Sequence, residues 1–369
     1  MRKKIKILLA NSYSFDKINE DYINKVGPSH YLMGLVELNK FDDMEVDVLK
    51  HQKYIWLNKL GDKIKIPFLD QQIRLLFKIR KYDILYFPYP LSNTRLLMML
   101  KQLGIIKIPI AVLVHQNFFH YFKKKSFIDK VNYNAIFNYD YFIFFSLNLL
   151  EVFKKEFKGQ NIDSEGKFHY AMWGPDIEFY SNYKPSGHLV KEKQKPYAIC
   201  AGTSDRDFEM LIEAFEGLDI DLRIHTKPEC VSNIDNIPHN VQIITEWTPY
   251  NSLIEYYKKS EFIIIPLKKE VIPIGNTYGL TVLLDAIAIG KPVIMTHHNF
   301  VDIDIEREEF GLWVKDNSVE GWRNKLKEMI QLRERYDVMG ENAKRKSKSI
   351  NINHFSTQVN KIFRKIKSY

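Results

Sequence analysis

The sequence predicts an α/β protein of two domains, and three observations lead there. Short apolar runs of strand length alternate with longer runs whose apolar residues recur at helical spacing, the order expected of parallel sheets covered by helices. Strand, turn and helix follow one another at the start of both halves, first across 5–38 and again across 197–215. The 369 residues exceed what a single core commonly organises. With 45% hydrophobic and 14% aromatic residues the chain has ample side-chain volume to bury, so disorder is not its default.

Taken in order, 5–10 reads as a first buried strand led by surface lysines. A polar loop over 11–26 follows, and Pro28 is placed to open a helix that continues through Leu38. Residues 44–49 form the next strand and 69–80 an amphipathic helix with Arg74, Lys78 and Arg80 around an apolar stripe. Strands at 83–87 and 108–114 flank a helix at 94–103, which leaves His115 and Gln116 at the carboxyl end of the later strand. That edge is where open α/β sheets bind ligands. Residues 118–130 mix aromatics with Lys123, Lys124, Lys125 and Lys130, a composition that suits either a bilayer interface or a solvated basic face. A strand at 141–146, a helix to about Phe157 and the piece 168–180 complete the first half. The polar segment 184–195, with Pro185 and Gly187, is the expected linker, setting the domains at 1–183 plus a returning helix at 350–369, and 184–349.

The second half opens with a strand over 197–201, the turn Gly202-Thr203-Ser204-Asp205-Arg206-Asp207 and a helix over 208–215. Strands at 222–225 and 241–244 follow, then the loop Glu246-Trp247-Thr248-Pro249, a helix at 252–258 and a strand at 261–266. The stretch 273–296, PIGNTYGLTVLLDAIAIGKPVIMT, is the one the chain is organised around. It runs from the loop Gly275, Asn276, Thr277, Tyr278 into an apolar helix over 280–289, which Gly290 and Pro292 end ahead of a buried strand at 293–295. A helix entered from so small a loop exposes unpaired N–H groups and a positive dipole end, which suit a diphosphate. Helices at 321–335 and 345–369 close the chain.

This stretch resembles the donor-binding signature of retaining GT-B glycosyltransferases, family 4 or "group 1", in which two glutamates stand eight positions apart ahead of Gly-x-Pro-Val-Ile. Here those positions are Thr277 and Asp285; the second keeps a carboxylate and the first does not. Trp173-Gly174-Pro175-Asp176 resembles the turn that closes the family's N-terminal half, and Met339-Gly340-Glu341-Asn342-Ala343 with Phe355 resembles its ending. The resemblance implies two Rossmann-like domains facing a cleft, with the C-terminal helix crossing back to the first. It implies donor contacts from Gly202, Thr203, Arg206, Trp247, Asn276, Thr277, Tyr278, Gly279, Leu280, Thr281 and Asp285, and acceptor contacts from Asn11, Tyr13 and His30. Asp285 would accept hydrogen bonds from ribose hydroxyls, and Trp247 would neighbour the base. Arg206 is either a grip on the donor diphosphate or a helix-start partner of Asp205 or Glu209. His115 is either a histidine bonded to a backbone carbonyl or, as the resemblance implies, a group that orients the donor; with Arg206 and Thr277 it makes the catalytic set.

The implied reaction is transfer of a hexose-type sugar from a nucleoside diphosphate, UDP rather than GDP, to a hydroxyl of a glycan or lipid-linked acceptor. Configuration would be retained, no metal or other cofactor would be needed, and the setting would be bacterial surface polysaccharide synthesis. Asp302-x-Asp304 reads as part of a solvated charged loop rather than a metal dyad. Two rivals stand: a GT-B epimerase acting on a UDP-sugar, and a homologue that binds nucleotide sugars without turnover.

The net charge of +9 asks for an anionic partner, whether nucleotide phosphates, lipid headgroups or nucleic acid. Zinc-finger spacing and RNA-recognition signatures are absent, which sets nucleic acid aside. No apolar run of about 18 residues occurs, and the N-terminus lacks the apolar length of a secretory signal. Cys200 and Cys230 stand apart without metal-ligand spacing. The expectation is a cytoplasmic protein, peripheral on the inner face of the cell membrane.

Overall fold

The computed structural model of the chain describes residues 4–122, 127–183 and 195–368. Lys123, Lys124 and Lys125, and residues 184–194 of the expected linker, lie outside the described residues. The chain divides into two compact units, one of Met1–Asn24, Ser29–Trp173 and Ile352–Tyr369, the other of Lys25–Pro28 and Gly174–Asn351. The long crossing precedes the anticipated linker because the helix Ile177–Asn182 is tied into the second unit. The Tyr183 hydroxyl donates to the Asn251 carbonyl (2.7 Å) and to Glu255 Oε1 (3.1 Å).

In the first unit six parallel strands, β1 (Ile5–Leu9), β2 (Met44–Val48), β3 (Ile84–Phe87), β4 (Ile110–Val114), β5 (Tyr141–Phe144) and β6 (Phe168–Tyr170), lie in the order β2-β1-β3-β4-β5-β6. All of β3 and β4 is buried, as near-continuous apolar strands covered on both faces must be. Phe142, Phe144, Phe153, Phe157 and Phe168 pack mostly edge to face around β5. The C-terminal helix Ile352–Ser368 belongs to this unit. It buries Phe355, Val359 and Phe363, and Arg364 pairs with Asp43 (2.7 Å) and Lys367 with Asp83.

The second unit holds β7 (Tyr197–Ala201), β8 (Asp221–His225), β9 (Val241–Ile244), β10 (Ile263–Ile265), β11 (Val293–Thr296) and β12 (Gly311–Val314), all parallel, in the order β12-β11-β10-β7-β8-β9. Both sheets therefore reverse strand order once, between β1 and β3 and between β7 and β10. The carboxyl ends at such a reversal leave room for a ligand.

Several expected elements differ. The helix anticipated from Pro28 to Leu38 is a 3-10 turn, Ser29–Leu32, and a short helix, Leu35–Leu38. Met33 (φ 53°) and Gly34 (φ 87°) are both left-handed and break it. The helix anticipated over 345–369 is two, Tyr336–Ser349 and Ile352–Ser368, parted by the extended Ile350. A helix at Ile55–Lys63 was not expected. Phe118 and Phe119 are buried against Phe153, Tyr133 and Phe137, so the first two aromatics of the proposed interfacial stretch are core, whereas Tyr121 is exposed. The Asp302–Asp304 region is anchored rather than solvated: Ile303 and Ile305 are buried, and Asp304 Oδ1 accepts from Trp313 Nε1 (3.1 Å). Among the described residues no helix is long and apolar enough to cross a membrane, and no group of three or more His, Cys, Asp or Glu is placed to hold a metal ion.

Candidate functional site

In the second unit the site grows from the reversal between β7 and β10. The turn after β7 is shaped by Gly202, whose φ of 134° is open to glycine and strained for other residues. Its N–H donates to the His225 carbonyl (3.1 Å), and its own carbonyl accepts from Thr226 Oγ1 (2.8 Å), which ties the turn to the end of β8. The chain then folds back on the segment after β10. Arg206 forms an antiparallel bridge with Leu267, the Asp207 N–H donates to the Pro266 carbonyl (3.2 Å), and that of Lys268 to the Asp205 carbonyl (3.1 Å).

This zipper draws the Arg206 side chain inward over Gly202, where an added Cβ would stand 3.3 Å from Nε. Arg206 as a whole is only 8% exposed. It donates from one terminal nitrogen to the Ser204 carbonyl (3.2 Å), while Nε has no hydrogen-bond partner among the described residues. Among the described residues Arg206 makes no ion pair, so the helix-start pairing with Asp205 or Glu209 does not occur. Burial lowers its pKa, against opposing effects of Cys200, Tyr257 and Asp205, yet an arginine stays protonated. The nearby Cys200 thiol is pushed up to about 12 by burial, with Arg206 pulling the other way, and supplies no negative charge at neutral pH. A buried cation without a counter-ion is costly unless an anion arrives.

The loop over 275–279 lies across the carboxyl ends of β10 and β11. At Gly279 (φ 78°) a Cβ would come within 2.7 Å of Ile265 Cγ2 and of Met295 Cε, so only glycine lets the helix Leu280–Ile289 begin this close to the sheet. No side chain caps that helix, and among the described residues no loop carbonyl accepts from the Thr281 and Val282 N–H groups. Thr281 is exposed and Leu280 buried. Within the loop Asn276 Nδ2 donates to the Tyr278 hydroxyl (2.8 Å), and the Thr277 carbonyl accepts from the Leu280 N–H (3.3 Å).

His298, which the sequence reading passed over, holds this loop. The Phe300 N–H donates to its Nδ1 (3.3 Å), so Nε2 carries the proton and donates to the Tyr278 carbonyl (3.0 Å). Burial brings its pKa to about 4 against the opposing pull of the Tyr278 carbonyl, with His297 and Arg206 adding to the fall, and the ring is neutral. The signal in the sequence was a histidine just past a buried strand.

Asp285 is buried, as its place on an apolar helix required, but its Oδ1 accepts from the Tyr180 hydroxyl (2.5 Å) and the Tyr250 hydroxyl (2.8 Å). The geometry gives one oxygen of this carboxylate a pair of tyrosine donors. Trp247, 88% exposed, stands in the loop after β9. Thr203 is also exposed.

In the first unit the reversal between β1 and β3 gathers Tyr13, Tyr89 and His115, with ring centroids 5.0 and 4.4 Å apart along that sequence. Burial lowers the His115 pKa to about 4, so its imidazole is neutral. Asn11 is buried and bonds locally: its Nδ2 donates to the Tyr13 carbonyl (3.4 Å), and its carbonyl accepts from Gln71 Nε2 (2.9 Å). His30 is fully buried against Tyr31 and Trp173, and its carbonyl accepts from Trp173 Nε1 (3.1 Å). That is a packing position rather than the expected acceptor contact.

The fold is the one found in GT-B glycosyltransferases. Sucrose-phosphate synthase from Thermosynechococcus elongatus superposes with a TM-score of 0.70 at 14% identity, over 99% of this chain and 100% of that one. The α,α-trehalose 6-phosphate synthase of Burkholderia multivorans gives 0.70 at 11%, over 100% and 98%. HepE from Anabaena, in complex with UDP-glucose, gives 0.66 at 13%, over 99% and 100%. Residues 188–346 match the family model Glycosyl transferases group 1, which places that domain on the unit carrying Arg206 and the helix Leu280–Ile289. Among curated proteins no sequence matches the chain.

Proposed function

We propose that the chain is a metal-independent, retaining glycosyltransferase of family 4 that moves a hexose-type sugar from UDP to a hydroxyl of a glycan or lipid-linked acceptor in bacterial surface polysaccharide assembly. It would work in the cytoplasm at an anionic membrane surface. The observation that carries the donor part is Arg206, a buried guanidinium whose Nε has no hydrogen-bond partner and which has no counter-ion among the described residues. It stands at the same sheet reversal that receives an uncapped helix start. The diphosphate is the anion that answers both. As the bond from the anomeric carbon to the β-phosphate oxygen breaks, negative charge grows on that phosphate and meets the guanidinium and the helix amides. The new bond forms from the acceptor oxygen on the same face of the sugar, and the departing phosphate takes the acceptor proton. Thr277 stands beside the donor sugar. The choice of UDP is supported by HepE, which shares the fold and is seen with UDP-glucose.

The test is UDP binding by calorimetry with wild type and Arg206→Ala. Hydrogen bonds to a charged partner contribute about 1.5–3 kcal/mol, so affinity should fall roughly ten- to a hundredfold while the melting temperature holds. Equal affinity in a folded variant refutes the site. A second reading, a nucleotide-sugar-binding protein without turnover, draws on Thr277 in place of a glutamate and on the tyrosine-bonded Asp285. Incubation with UDP-sugars and EDTA separates the two: released UDP and free sugar mean transferase chemistry, and tight binding without product means a binder.

A further inference from the structure

The helix Ile55–Lys63 turns its larger apolar side chains outward. Its inner face carries Leu57, Asn58 and Gly61: Gly61 is buried so close to the next segment that a Cβ would stand 2.4 Å from the Ile66 carbonyl oxygen, and Asn58 Oδ1 accepts from the Asp70 N–H (3.1 Å). At 100° per residue the opposite face carries Ile55, Trp56, Lys59, Leu60 and Lys63. Ile55 is 63% exposed, Trp56 64% and Leu60 44%. None of these residues is needed to hold the helix in place, because its entry is locked elsewhere. Asp70, wholly buried, accepts from the Lys53 N–H (3.0 Å) and the Tyr54 N–H (3.2 Å) and is clamped by Arg74, which also donates to the Lys50 carbonyl (2.8 Å) and the His51 carbonyl (3.4 Å). An ordered helix with an unburied tryptophan and isoleucine on one face is built to meet something apolar.

What it meets must also be anionic. Residues 50–65 contain five lysines, at 50, 53, 59, 63 and 65, against one acid, Asp62. Lys59 and Lys63 flank Trp56 and Leu60 on the outward face. A tryptophan ring prefers headgroup depth, aliphatic side chains enter the acyl boundary, and lysines reach anionic headgroups. A protein partner with a matching apolar face would have less use for that excess of charge.

We propose that the outward face of this helix docks the protein on an anionic lipid surface. This rests on the membrane part of the reading above and moves the contact from residues 118–130, where Phe118 and Phe119 are core, to residues 55–63. The full chain is floated with vesicles of phosphatidylcholine containing 30% phosphatidylglycerol, and with phosphatidylcholine alone, at low and high salt. Wild type should bind the anionic vesicles and be released by salt. Lys59→Gln with Lys63→Gln should weaken partitioning about thirtyfold, and Trp56→Ser with Leu60→Ser should abolish flotation with the melting temperature preserved. UDP binding is read on the same samples, so a chain that floats without binding UDP keeps this inference and loses the donor site. Absence of flotation in wild type overturns it, as does flotation of the Trp56/Leu60 variant at the wild-type level. A wild-type dimer that becomes monomeric in that variant, with no vesicle binding, assigns the face to a second copy of the chain instead.

Discussion

Arg206 and Asp285 are both buried charged side chains near the helix Leu280–Ile289, and their surroundings give them opposite roles. Asp285 has two phenols on one oxygen, so its hydrogen-bonding need is met within the unit. Arg206 has one carbonyl for a whole guanidinium and so remains available to an anion. Tyr180→Phe and Tyr250→Phe should each destabilise the protein by about 1 kcal/mol, and the double variant by more than the sum, because the last phenol lost leaves a buried carboxylate without these donors. Urea titration of the four proteins reads this directly; strict additivity would contradict the pairing. Arg206→Lys should recover only part of the UDP affinity lost in Arg206→Ala, since a lysine restores the charge and not the planar fork.

At the scale of elements, the loop over 275–279 has its position set by what lies beneath it rather than by its own sequence. Gly279→Ala would force a Cβ into Ile265 and Met295 at a left-handed φ, and it should cost about 1–3 kcal/mol while weakening UDP binding. His298→Phe should leave the sheet intact but free the Tyr278 carbonyl, lowering UDP affinity with little change in melting temperature; a wild-type affinity would show that the histidine does not hold the loop. Ten of the twelve strands and the helices at 208–215 and 280–289 were legible in the sequence because their apolar periods are strong and their ends carry glycine, proline or a capping aspartate; the edge strands β6 and β12, three and four residues long, were not. The split after Leu32 was not: two left-handed residues leave no mark on periodicity. The helix at Ile55–Lys63 escaped because its apolar face is turned away from the core it was expected to join.

For the whole molecule, three histidines at carboxyl strand ends or just beyond them, His115, His225 and His298, are held neutral, each lowered by burial from the ordinary 6.5 to about 4. Between about pH 4 and 6.5 the unfolded chain binds more protons than the folded one, so stability rises with pH across that window and is lost as pH falls through it. Melting temperature should drop steadily from pH 7 to 4.5 and drop less in His225→Gln; a flat profile would mean these rings are solvated. By itself the sequence determined the two-domain α/β plan, most of the strands and the residues at their carboxyl ends, because period, glycine and proline placement act locally. Only tertiary structure decided which of those residues have a partner. The backbone zipper to Leu267 buries Arg206 without an acid, two distant tyrosines reach Asp285, and Trp173 closes over His30. Each of these turns on a contact between residues far apart in the chain, which no local pattern encodes.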